Sequence, residues 1–79
     1  MFLEIITPDK KVYAGEATSV SVPGADGRFQ ILNRHAPIIS SLLNGTVKVK
    51  DSQGEKMFEV KGGVIENLDN KVVILAESV

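Results

Sequence analysis

The chain has 79 residues, with 9 Lys and Arg against 10 Asp and Glu, a single histidine and no cysteine. A length of this order makes one domain over residues 1–79 and buries only ~60–65% of the surface of the unfolded chain, so its stability margin is thin. With no cysteine and only His35, neither a disulfide nor a histidine–cysteine metal site is at hand to staple the core. A net charge of −1 and only four aromatics (Phe2, Tyr13, Phe29, Phe58) argue against nucleic-acid binding.

The start, Met1-Phe2-Leu3-Glu4, has neither a basic leader nor a long apolar region. No apolar run approaches the ~20 residues of a membrane-spanning helix. The expectation is a soluble, intracellular chain with no direct membrane insertion.

Taken in order, the elements read as short strands separated by turn residues every 8–12 positions. Phe2 to Ile6 is the first, closed by Thr7-Pro8-Asp9, and Lys11 to Ala14 follows, ending at Gly15. Thr18 to Val22 alternates, with Val20 and Val22 on one face. Pro23-Gly24-Ala25-Asp26-Gly27 reads as a loop. Phe29 and Ile31 share a face of the next strand. Pro37 to Leu43 is apolar with Ser40 and Ser41 as outward polar positions, before a turn at Asn44-Gly45. Thr46 to Lys50 places Val47 and Val49 inward and its lysines outward. Asp51-Ser52-Gln53-Gly54 is a hairpin loop into Met57–Lys61, and Gly62-Gly63 marks a sharp turn or bulge. Val64–Asn67 and Lys71–Ala76 form a last hairpin through Asp69-Asn70, which tolerate a left-handed backbone. Helical periodicity is nowhere sustained, and Pro37 interrupts the one candidate, 33–43. The fold class is all-β, an antiparallel β-sandwich of about eight to ten short strands.

The run Val72-Val73-Ile74-Leu75 is apolar on both faces of its strand. Either this domain's own loops cover the second face, or another subunit does.

Catalytic chemistry finds little support. No second histidine or cysteine cluster accompanies His35, so it reads as a structural or interface residue. No nucleophile motif surrounds Ser40 or Ser41, and the scattered carboxylates form no dyad by spacing. The Gly24–Gly27 loop opens onto a strand, whereas phosphate cradles open onto a helix. Lys56-Met57 invites comparison with biotin-carrier sandwiches, but Glu55 stands where a methionine is needed. The sequence points to no catalytic residue, no metal and no cofactor.

Several segments in register complete the reading. They are Thr7-Pro8-Asp9-Lys10-Lys11-Val12-Tyr13-Ala14-Gly15-Glu16, Val22-Pro23-Gly24-Ala25-Asp26-Gly27, Phe29-Gln30-Ile31-Leu32, His35-Ala36-Pro37-Ile38-Ile39, Leu43-Asn44-Gly45, Gly62-Gly63-Val64-Ile65-Glu66 and the ending 69–77. Together they resemble the N-terminal β-sandwich domain of the epsilon subunit of F-type ATP synthases.

The resemblance implies a non-catalytic rotor subunit of the central stalk. Its partners would be the gamma subunit and the ring of c subunits, and it would help couple proton-driven rotation to ATP synthesis. It also implies a peripheral position in the complex, on the cytoplasmic side of the energy-coupling membrane. Asp26, Gly27 and Arg28 match the family loop that faces the c ring. His35, Ala36, Pro37, Ile38 and Ser40 match positions near gamma. Where another subunit and not this domain's own loops covers the two-faced strand, Val72, Val73, Ile74 and Leu75 are the residues it would cover.

The chain departs from the family at Gln30, where glycine is usual, and at Asn33-Arg34, where Pro-Gly or Pro-Asn is common. It stops at Ser78-Val79, where the family normally continues into a helical hairpin that restrains hydrolysis in many members. The alternatives are a free-standing ligand- or cofactor-carrier β-domain and a truncated piece of a longer epsilon subunit.

Overall fold

A computed structural model describes residues 1–79 as nine strands. They are β1 (Phe2–Ile6), β2 (Lys11–Glu16), β3 (Ser19–Gly24), β4 (Gly27–Leu32), β5 (Ile38–Ser41), β6 (Gly45–Asp51), β7 (Gly54–Val60), β8 (Val64–Leu68) and β9 (Lys71–Leu75). Five form one sheet, in the order β2-β1-β9-β8-β5, and four form the other, in the order β4-β3-β6-β7. The two inner faces meet in one core. The five-stranded sheet contributes Leu3, Ile5, Ile65, Val72 and Ile74, and the four-stranded sheet Val20, Val22, Ile31, Val47, Val49 and Val60. The period-2 alternation of these residues drives the layering, because each strand turns every second side chain inward.

Pairing is antiparallel with one exception. The first and last strands, β1 and β9, run parallel, Phe2 opposite Lys71 through to Ile6 opposite Leu75. Parallel neighbours need a long connection, and here the whole intervening chain supplies it. That placement makes β9 a central strand, flanked by β1 and β8.

The turns follow their residues. Asp69 and Asn70 adopt φ of 51° and 61°, the left-handed pair that a two-residue hairpin requires. Gly63, at φ 122°, lies so close to β9 that a Cβ there would sit 2.1 Å from the carbonyl oxygen of Leu75. Between β3 and β4 the strands run further than the sequence suggests. Pro23 pairs with Arg28 and Gly24 with Gly27, leaving only Ala25-Asp26 as the turn. Pro23 falls where the β3–β6 ladder stops, its last pair being Ser21 with Lys48.

The edges of the sandwich are closed by side chains and short bridges. Tyr13 on β2 meets Phe58 on β7 edge-on, with centroids 5.9 Å apart. The Tyr13 hydroxyl donates to Asp51 Oδ2 at 2.7 Å, and Lys56 Nζ donates to the same oxygen at 3.0 Å. On the other side Leu42 bridges Gly24, with Ala25 N donating to Ser41 O and Leu43 N to Pro23 O. The exposed surface is 4658 Å², against ~4700 Å² expected of a folded 8.5 kDa monomer. The chain alone is therefore as compact as a folded monomer of its size.

Candidate interaction surfaces

The outer face of the five-stranded sheet is built from the alternate residues of its strands. Register sets Ile6, Leu75 and Val64 side by side in one row across β1, β9 and β8. The next row runs Glu4, Val73, Glu66 and Ile39, and the one beyond it Phe2, Lys71 and Leu68. Ile39 is 69% exposed, Leu68 54% and Leu75 53%. Two shallow depressions flank this face. One of about 380 Å³ is lined by Ile6, Pro8 and Leu75, and one of about 270 Å³ by Pro37, Ile39 and Leu68. Glu4 and the exposed Glu66 interrupt the apolar surface, and of the two Glu4 is neutralised there. Lys11 Nζ lies 2.7 Å from its carboxylate and Lys71 Nζ 3.6 Å. The hydrogen bond from Lys11, then the charges of both lysines, hold the Glu4 carboxyl below its ordinary range against the opposing cost of burial.

This geometry divides the two-faced run of β9. Val72 and Ile74 are fully buried in the domain's own core and cannot meet a partner. Val73 is half-buried and Leu75 exposed on the outer face. The covering-by-loops reading fails, since Leu75 stands open.

The segment expected near gamma is pinned from below. Asn67, 2% exposed, donates from Nδ2 to the carbonyl oxygens of His35 at 3.0 Å and Ala36 at 3.1 Å. Asn70 Oδ1 accepts from Arg34 N at 2.9 Å, which holds Arg34 at φ 63°. His35, Ala36 and Pro37 are exposed above these anchors, with His35 Nδ1 2.7 Å from Ala36 O. Ile38 packs against the core. Ser40 lies opposite the buried Ile65 and is half-buried, so it turns inward, contrary to its reading as an outward position. Ile39 is the outward residue of β5. Nothing in the sequence marks it, because Ile38-Ile39-Ser40-Ser41 puts one isoleucine and one serine on each face of the strand.

At the β3–β4 hairpin Asp26 and Gly27 are exposed. Arg28 is not free at the tip. Its Nη2 donates to Thr46 O at 2.6 Å and lies 3.4 Å from Ser21 O. A cleft of about 310 Å³ between the two sheets is lined by Asp26, Gly27, Arg28, Phe29, Ile38 and Ser40. The two groups expected to face different partners therefore share one end of the sandwich. Lys56, the only residue that invited comparison with a carrier lysine, is committed to its ion pair with Asp51. Together these features present surfaces for packing.

The whole chain, residues 1–79, matches the family described as the beta-sandwich domain of the ATP synthase delta/epsilon chain. An ATP synthase epsilon chain of Chlorobium limicola is 44% identical over 98% of this chain and 89% of its own length. The chain belongs to the ATP synthase delta/epsilon family. A second epsilon chain, from Desulforapulum autotrophicum, is 42% identical over 99% of this chain but only 58% of its own length. The epsilon-family fold is also seen in a solved mitochondrial ATP synthase assembly of Euglena gracilis containing OSCP, F1 and the c-ring. There the TM-score is 0.89, at 18% identity, over 96% of this chain and 49% of that one. A central stalk and c-ring structure from Tetrahymena thermophila gives 0.81 at 17% identity, over 95% of this chain and 61% of that one. No helix of this epsilon-family chain is long and apolar enough to cross a membrane.

Proposed function

We propose that residues 1–79 act as a single non-catalytic rotor unit of a proton-translocating ATP synthase, joining a gamma-type subunit to the ring of c subunits. The observation that carries this reading is the exposed apolar row on the outer face of the five-stranded sheet, in a chain of the epsilon family. Large exposed apolar patches mark interaction sites, and a durable contact needs roughly 800 Å² on each partner. Ile6, Leu75, Val64, Ile39 and Leu68 form the gamma-facing surface, continued at one corner by His35, Ala36 and Pro37. Asp26 and Gly27, at the hairpin end, face the c ring. The close-packed core makes the sandwich stiff enough to pass torque between them. The unit sits peripherally, on the cytoplasmic side of the energy-coupling membrane.

The test is assembly. Mixed with the gamma subunit of a matching ATP synthase, the 79-residue chain is expected to co-elute as a complex. In the reconstituted enzyme, Asp26→Lys is expected to lower ATP-driven proton pumping while ATP hydrolysis continues. A chain that elutes alone at micromolar concentration of both proteins contradicts the proposal.

A further inference from the structure

We infer that Arg28 is a positioning residue, standing in for the backbone donor that Pro23 lacks and so fixing the hairpin that presents Asp26. The β3–β6 register pairs Ser19 with Lys50 and Ser21 with Lys48. Continued past its last pair, the same register would bring Pro23 opposite Thr46. A proline has no N–H to give, and the carbonyl of Pro23 is taken by Leu43 N at 2.8 Å. Thr46 O would be left without a strand donor on that side. The Arg28 guanidinium fills the gap, with Nη2 2.6 Å from Thr46 O and 3.4 Å from Ser21 O. Arg28 is itself paired with Pro23 across the hairpin, so its side chain ties β4 over β3 to β6. A charge-assisted bond of this kind is stronger than the neutral one it replaces.

The consequence is that Asp26 stands free at the hairpin tip for a partner, while the guanidinium of Arg28, though exposed, is committed to carbonyls of the domain itself. This functional consequence rests on the proposed c-ring contact; the positioning role does not.

The experiment compares Arg28→Met, Arg28→Lys and the double variant Pro23→Ala with Arg28→Met in the 79-residue chain. Amide exchange is read at Ala25 and Leu43, whose N–H groups bond Ser41 O and Pro23 O. Arg28→Met is expected to speed exchange at both by about tenfold, in keeping with loss of one hydrogen bond to a charged donor. Arg28→Lys, which keeps the charge but not the planar fork, is expected to recover part of the protection. The double variant, with a backbone N–H restored at 23, is expected to return exchange to near the parent rate. Unchanged exchange in Arg28→Met, or no rescue by Pro23→Ala, overturns the assignment. In the reconstituted enzyme the rescued variant is expected to pump as the parent does. Restored exchange with pumping still lost would mean that the guanidinium itself touches the ring, which also contradicts the positioning role. Failure of every variant and the parent to assemble would count against the rotor reading alone, because the exchange result stands without it.

Discussion

Tyr13, Asp51 and Lys56 join the edges of the two sheets, and their titration should be visible in stability. The Asp51 carboxyl is drawn down to about 2, first by the Tyr13 hydroxyl and then by Lys56 and Gln53 N. The Tyr13 phenol is pushed up to about 12, first by burial and then by Asp51. A depressed carboxyl stabilises the fold above its unfolded value of ~3.9, and that contribution fades as pH falls towards the folded one. A raised phenol stabilises below its unfolded value of ~10, and that contribution is lost as pH rises towards the folded one. Tyr13→Phe is therefore expected to cost about 1 kcal/mol at neutral pH. Urea melts across the pH range are expected to show the parent's alkaline loss between about 10 and about 12 flattened in the variant. A second contrast is backbone-based. Gly63 and Gly54 both have positive φ, but a Cβ at Gly54 meets nothing within 4 Å, whereas one at Gly63 strikes the Leu75 carbonyl. Gly63→Ala is expected to destabilise by about 3 kcal/mol or more and Gly54→Ala by about 1 kcal/mol, read from the same melts.

Among the strands, β9 shows what alternation can and cannot reveal. Its run of apolar residues announced two apolar faces, and the structure gives Val72 and Ile74 to the core and Val73 and Leu75 to the outside. Which pair faced which way was not legible, because it depends on the parallel pairing with β1, a contact between the two ends of the chain. The hairpin through Asp69-Asn70 was legible, since the conformation it needs is a local property of those residues. Arg28 was not, because its bonds depend on a register that brings Thr46, 18 residues away, past Pro23. Ile74→Asp is expected to abolish the cooperative thermal transition, since it buries an unpaired charge among fully enclosed side chains. Leu75→Asp, one residue on but facing outward, is expected to keep that transition within a few degrees of the parent.

The molecule as a whole is a small block, 25 × 25 × 18 Å, with two unlike outer faces. On the four-stranded sheet the outward positions of β3 and β6 are Ser19, Ser21, Lys48 and Lys50, which with Gln30 and Glu55 line a wholly polar hollow. On the five-stranded sheet the corresponding surface is mostly apolar. An isolated sandwich has no need of such asymmetry, since either face could meet water with polar residues. A partner gripping one face only, as proposed, gives the difference its physical reason.

Titration of the gamma subunit against three folded chains tests this most directly: the parent, Leu75→Asp, and Met57→Asp on the opposite sheet, where Met57 is 62% exposed. Leu75→Asp is expected to weaken binding by about tenfold or more, because the new carboxylate would be desolvated in the contact. Met57→Asp is expected to bind as the parent does. Equal affinity for the parent and Leu75→Asp, or a loss confined to Met57→Asp, would place the grip elsewhere and contradict the account.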